Sequence, residues 1–297
     1  MYKRLITVFT PSYNRAYCLS DLYQSLIRQT SKNFLWHIVD DGSTDNTEQL
    51  VKSFMEEGKI EIRYDYQENS GKHVAHNTGV LKCETELFVC VDSDDYLTDD
   101  AVEIAEREWN KIEPAHKLEI AGLVADKCWT DGKIIGVEFP EIAEEAGLLE
   151  WYKLGKQGDT TLVYRAEVLK EFLFPVFEGE RFLREHVCYW QIDKKYKLRA
   201  VRKNMCVCEY RNDGLSANAV KHEFQSPRGA AFGRFLEYEE EKRFYHRVRK
   251  LASYVLFSIV GKDFKGAVRK IGIFKTALML PVAGIGYIRY KCKERTK

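Results

Sequence analysis

Leu87-Phe88-Val89-Cys90-Val91-Asp92-Ser93-Asp94-Asp95 passes from five apolar residues to four polar ones, three of them acids. A continuous apolar run of this length, closed by polar residues, reads as a buried strand. Two earlier runs end in the same way. Leu5-Ile6-Thr7-Val8-Phe9 leads into Thr10-Pro11-Ser12-Tyr13-Asn14, and Leu35-Trp36-His37-Ile38-Val39 leads into Asp40-Asp41-Gly42-Ser43. Between the runs, Leu19, Leu22, Leu26 and Ile27 follow helical spacing, as do Leu50, Val51 and Phe54 ahead of Gly58. Asp45 is placed to cap the second of these helices, with Glu48 as its capping-box partner. Ile60, Ile62, Tyr64 and Tyr66 alternate onto one face, and a short helix is predicted over about residues 74–82. Strand and helix alternating at this spacing predict an α/β fold with a parallel sheet and crossover helices. Ligands of such sheets sit just beyond the C-terminal strand ends, where all three polar clusters fall.

The chain has 297 residues, 46 Lys plus Arg against 45 Asp plus Glu, and a formal charge of +1. No global field recruits nucleic acid, and 45% hydrophobic with 31% charged residues is ordinary for a soluble globular protein. Eight cysteines form no CxxC pair, which excludes zinc-finger and thioredoxin readings and fits a reducing cytosol. The run from Leu5 is too short for a signal peptide. Leu251–Val260 and Ala277–Ile288, the latter broken by Pro281, fall short of the ~20 apolar residues of a membrane span. Further strands are predicted at Ile120–Ala125, Thr161–Tyr164, Leu198–Arg202 and Met205–Tyr210, with helices at Ala166–Phe172 and Val187–Lys195. These organise as a domain over residues 1–218 and a helical, basic extension over 219–297. Within the extension, residues 262–297 carry ten Lys/Arg against Asp263 and Glu294, a net +8, leaving −7 for the rest.

Asp92, Asp94 and Asp95 raise one another's pKa unless a cation shares them. Hard oxygen donors suit Mg²⁺ or Mn²⁺, which usually bind with a phosphate as co-ligand. The competing reading is an acidic turn capping a helix that starts near Asp99. Asp41 can accept from an imide N–H or a ribose hydroxyl while Gly42 allows close backbone approach, but turn chemistry alone explains the same residues. Between Asn69 and Gly79, Lys72 is a candidate phosphate partner and His76 a weaker one, and a surface helix start accounts for His73. Glu178-Gly179-Glu180-Arg181-Phe182-Leu183-Arg184-Glu185-His186 offers candidate general bases, or is a charged loop leading into a helix that presents Trp190.

Taken together, Thr10–Arg15, Asp40–Ser43, the Gly71-Lys72 to His76-Asn77-Thr78-Gly79 segment and Asp92–Asp95 resemble, in order, the motifs of inverting family 2 glycosyltransferases, over roughly residues 4–215. The resemblance implies the GT-A fold, a Rossmann-like, mostly parallel sheet with flanking helices. It implies single-sugar transfer from a nucleotide-diphospho-sugar, with UDP the expected nucleotide and a hexose or N-acetylhexosamine the expected sugar. It gives Thr10, Pro11, Tyr13, Asn14 and Arg15 to the base pocket, Asp41 to the uracil imide and Asp92 to the ribose or metal. Asp94 takes the Mn²⁺ or Mg²⁺ ion that bridges the diphosphate. Many relatives carry Arg at the position of His76, so Lys72 or His76 supplies the diphosphate's positive partner, with Asn77 and Ser93 alongside. The family's base belongs to a Glu-Asp pair ahead of a helix. Here the match is Glu185-His186, which makes Glu185 the first choice and Glu180 the second. Gln225-Ser226-Pro227-Arg228-Gly229 lacks the Trp of processive relatives' Gln-x-x-Arg-Trp.

The implied acceptor is a glycan or lipid-linked glycan, in cell-surface polysaccharide or glycolipid synthesis at the cytoplasmic face of the membrane. Three rivals stand beside this reading. A haloacid-dehalogenase-type phosphotransferase would place Asp-x-Asp on the first strand, and a nucleotidyltransferase would need a Gly-rich loop after Leu5–Phe9. A catalytically inactive nucleotide-binding scaffold of a glycan assembly complex stays open because His186 replaces an acid. Residues 262–297 read equally as a segment lying on an anionic membrane or as helices packed on the catalytic domain or a second subunit, so homo-oligomerisation stays open too.

Overall fold

The computed structural model describes residues 4–209 and 218–295. The alternation expected of the first half is present: β1 (Ile6–Ser12), α1 (Leu19–Arg28), β2 (Phe34–Asp40), α2 (Thr47–Glu57), β3 (Ile62–Tyr66), α3 (Lys72–Leu81) and β4 (Leu87–Cys90). There follow β5 (Asp95–Leu97), α4 (Ala101–Asn110), β6 (Ile120–Cys128), β7 (Glu145–Ala146), α5 (Leu148–Lys153), β8 (Thr160–Arg165), α6 (Ala166–Glu171), α7 (His186–Ile192) and β9 (Lys197–Cys208). Tyr210, the expected end of the last strand, lies outside the described residues. The chain closes with α8 (Ala219–Gln225), α9 (Pro227–Glu240), α10 (Phe244–Val260), α11 (Phe264–Ile271) and α12 (Ile273–Arg295).

The described residues form two compact units, one of residues up to 174 with 188–209, the other of 175–187 with 218–295. In the first, nine strands lie in the order β3-β2-β1-β4-β8-β6-β9-β5, with β7 beside β9. β1, β2, β3, β4, β6 and β9 run one way, and β5, β7 and β8 the other. The fold is therefore α/β with a mostly parallel sheet and flanking helices. The parallel quartet β3-β2-β1-β4 carries the three polar strand ends side by side.

Packing on this sheet explains the helical spacing. Leu19, Leu22 and Leu26 of α1 are fully buried, each contributing roughly 1.5–3 kcal/mol of transfer free energy. Tyr23 stacks on Phe54 of α2 at 3.9 Å between ring centroids, with Trp36 of β2 beside both. α3 sits so close to β1 that a Cβ on Gly79 would come within 2.3 Å of the Phe9 ring. One capping expectation needs correction. The Asp45 carboxylate does accept the Thr47 N–H at 3.0 Å, but the helix starts at Thr47 after Asn46, so Glu48 is its second residue. From there Glu48 cannot close a capping box, and it pairs with Lys52 instead.

The second unit has its own core around Phe235, Leu251, Val255, Phe257, Ala267 and Met279. No helix among the described residues is long and apolar enough to cross a membrane.

Candidate active site

The turn after β2 is built by closely spaced partners. Asp40 accepts the Ser43 N–H at 2.7 Å with one oxygen and the Tyr64 hydroxyl at 2.7 Å with the other. Burial, then the Asp40 carboxylate, pushes the Tyr64 phenol far up, so it stays a donor. Asp41 accepts Gln67 Nε2 and the Ser70 N–H with Oδ1 and the Gly71 N–H with Oδ2, all at 2.8 Å. A carboxylate offers about four lone-pair sites, so these three bonds leave room for one more donor. Gly42, at φ +84°, lies where an added Cβ would stand 2.7 Å from the Asn69 nitrogen. The two loops can meet only because that side chain is missing. Asn14 closes the turn from the β1 side: its Oδ1 accepts the Thr44 N–H at 2.8 Å, and its own N–H goes to Ser43 Oγ at 2.8 Å.

The effect of the Asp41 bonds is to fix Gly71 and start α3 at Lys72. Lys72 Nζ reaches Asp92 Oδ1, 2.6 Å away at the end of β4. Burial works to raise the Asp92 pKa, but Lys72, Lys127 and Arg15 outweigh it and hold the carboxyl below its ordinary range. The three acids of the turn thus have different surroundings. Asp92 is paired with Lys72. Asp95 opens β5, is buried, and accepts from Lys127 Nζ at 2.7 Å and Cys208 Sγ at 3.2 Å. Burial raises its pKa despite Lys127. Asp94 is half-buried and has no hydrogen bond or ion pair among the described residues. Asp95 also lies with Cys206 and Cys208 in a group compact enough for a metal ion, but the Lys127 ammonium already supplies a positive charge there. The turn's carboxylates outside that group, Asp94 and Asp92, could offer oxygens to a divalent ion.

Other expected contacts have structural employment. Thr10 is fully buried and its hydroxyl accepts the Trp36 indole N–H at 3.0 Å. Asn77 bonds both the carbonyl and the N–H of Phe174, at 2.8 and 2.9 Å. His76 is buried among the rings of Phe9, Phe88 and Phe174, and its Nδ1 has no hydrogen-bond partner among the described residues. Burial, then Lys72, lowers its pKa to about 3, so its ring is neutral and brings no charge to a diphosphate. Pro11 and Ser93 are buried, while Tyr13 is 48% exposed. Arg15 carries its charge beside Tyr17. Lys127 escaped the sequence reading, although a lysine next to the apolar run of β6 is a signal in itself, because lysines are rarely buried unpaired.

In the second unit, Glu180 is buried and both its oxygens are committed. Oε1 accepts the Arg228 N–H and Oε2 the Gly229 N–H, each at 2.8 Å, capping α9, and Arg228 Nε lies 3.1 Å from Oε1. Ser226, the N-cap residue by position, gives its hydroxyl oxygen to the Phe182 N–H instead. Arg184 pairs with Glu223 at 2.5 Å, and His186 Nε2 stands 3.3 Å from Glu237 Oε1. Burial lowers the His186 pKa to about 4 even against Glu237. Glu185, between these two anchored residues, is exposed.

The model of the family described as Glycosyl transferase family 2 matches residues 7–116, the stretch holding all three strand ends. The chain is 41% identical over 98 residues to Glycosyltransferase GlyA of Streptococcus pneumoniae, an alignment covering 33% of this chain and 14% of that protein. It is 33% identical over 103 residues to the putative teichuronic acid biosynthesis glycosyltransferase TuaG of Bacillus subtilis, covering 34% and 40%. The chain thus spans less than half the length of either. The crystal structure of S. aureus TarS residues 1–349 with UDP-GlcNAc superposes with a TM-score of 0.62 over 93% of this chain and 79% of that one. At 20% identity this is a likeness of fold. The motifs lie in order on the strand ends, and residues 7–116, which carry them, are similar to glycosyl transferase family 2.

Proposed function

We propose that this protein transfers a single sugar from a UDP-sugar to an acceptor hydroxyl with inversion. The observation that carries the reading is the division of labour at the end of β4: Asp94 has no partner among the described residues, beside an Asp92 whose charge is held by Lys72 at 2.6 Å. Asp94 and Asp92 would hold Mn²⁺ or Mg²⁺, and such an ion, when bound, supplies positive charge against the leaving diphosphate. Lys72, fixed through the Asp41–Gly71 bond, is the protein's own cation for that diphosphate. Asp41 keeps one acceptor site for the uracil imide, and Tyr13 and Arg15 flank the base pocket.

Glu185 is the proposed general base, because Glu180 is spent on the start of α9. A carboxylate aimed at the acceptor hydroxyl can take its proton as the new bond forms. The acceptor class, a glycan or lipid-linked glycan of a cell-surface polymer, draws support from the teichuronic acid role in the name of TuaG. Eight free cysteines support a reducing, cytoplasmic setting.

Calorimetric titration of UDP, with and without Mn²⁺, tests the donor site. Mn²⁺-dependent binding that disappears in Asp94→Asn is expected. Absence of UDP binding under both conditions overturns the UDP assignment. UDP binding without turnover on any acceptor favours the inactive scaffold instead.

A further inference from the structure

We propose that α12 is a docking surface for an anionic lipid membrane, which its outer face enters to the depth of the headgroup boundary. One stripe of this helix packs on its own unit: Thr276, Met279 and Ala283 are buried, and Tyr290 stacks on Phe224 at 3.6 Å between centroids. The spacing is helical, so the remaining circumference faces outward. There Phe274 is 88% exposed, Leu278 71%, Ile288 62% and Ile285 53%. Val282, off that line, is exposed as well.

Charge decides the occupant. Residues 276–288 contain no charged side chain, and cations bracket them at Lys275, Arg289 and Lys291. Phe274, Leu278, Pro281, Ile285 and Ile288 recur at the 4-3-4-3 spacing of a coiled-coil seam, so a second copy must be weighed. Coiled coils set their pairing with opposite charges flanking the seam. Here the flanking positions hold Lys275, Val282 and Arg289 on one side and Ala277, Gly284 and Lys291 on the other. Two copies would bring lysine and arginine against each other with no acid to pair, whereas an anionic surface answers every one of these charges. Lys265 and Arg269 on the preceding α11 are exposed and add to the same field. The uncharged stretch of 13 residues is ~20 Å long as a helix, too short for the ~30 Å hydrocarbon core. A helix of this kind lies in the interface.

Sedimentation of the full chain with phosphatidylglycerol vesicles tests this with no sugar donor present, so its outcome is separate from that of the transferase reading. Binding is expected to phosphatidylglycerol, to fall at least about tenfold on phosphatidylcholine, and to weaken with salt. Leu278→Glu with Ile285→Glu should reduce it by a further tenfold or more, with UDP binding and melting temperature unchanged because both side chains are exposed. Failure to bind phosphatidylglycerol vesicles, or undiminished binding by the double variant, overturns the proposal. So does a solution dimer that the double variant dissociates while vesicles are ignored, which would give the face to a second copy.

Discussion

Two acidic segments, the turn at 92–95 and the loop at 178–186, look alike in sequence and differ in what settles their roles. Each has one carboxylate absorbed by the fold and another for which we propose a chemical role. In the turn, Asp95 goes to Lys127 and Asp94 keeps no partner among the described residues. In the loop, Glu180 goes to the backbone of α9 while Glu185 is exposed. The turn is decided by strand register, because Asp95 pairs with Cys208 on β9 and its side chain is thereby committed to the buried face. The loop is decided by a helix that begins 47 residues after Glu180, at Pro227. A carboxylate's role follows from what lies across from it in space, and only the first segment carries a local pattern for it.

The sharpest way to break this comparison is at the turn. Asp94→Asn should lower turnover by about a thousandfold or more, the scale of losing a metal's charge stabilisation, and leave the melting temperature unchanged. Asp95→Asn should do the reverse. It strands the Lys127 ammonium in a buried site, at a cost of roughly 3–5 kcal/mol in stability. Denaturant melts beside single-turnover rates distinguish the two. If Asp94→Asn melts early and Asp95→Asn does not, the division of labour at β4 is wrong.

At the loop the expected effect is smaller. Glu185→Gln should cost about 10²–10⁴ in the rate of transfer, as expected for a lost general base, with UDP affinity and stability kept. Glu180→Gln should cost about 1–3 kcal/mol of stability, because a charged acceptor at the N-terminus of α9 and the partner of Arg228 are lost together. Equal rate losses in both variants would return Glu180 to the chemistry.

The same contrast explains what could be read from the amino acids alone. β1, β2 and β4 are short apolar runs cut off by polar residues, and that local pattern located both the strands and the polar clusters at their ends. β5 has three residues and exists because Cys206–Cys208 lies beside it, so nothing within Asp95–Leu97 announces it. His76 follows a glycine-lysine segment and looks like a phosphate partner, yet Phe9, Phe88 and Phe174 come from three distant places to enclose it. The 175–187 segment clusters with the C-terminal helices through Glu180, Ser226 and Arg184, side chains whose partners lie 39 to 49 residues away.

Two histidines, buried His76 and half-buried His186, carry the comparison between units down to modest energies. Burial lowers His76 of the sheet unit to about 3 and His186 of the helical unit to about 4, against an ordinary 6.5. For each, the unfolded chain takes up a proton below pH 6.5 while the folded one resists. The native state therefore loses stability as pH falls from 6.5 toward the folded value, and gains nothing further above 6.5. Between pH 7 and pH 5 the loss comes to about 2 kcal/mol per histidine. His76→Leu should remove that share of the acid sensitivity whatever it does to stability at pH 7, since the measured quantity is the change between the two pH values. His186→Leu should remove a similar share, reduced to the extent that Glu237, 3.3 Å away, already favours the charged ring. A variant pair that leaves the wild-type slope intact would mean that neither ring is held neutral, and that His76 is open to solvent and to a phosphate after all.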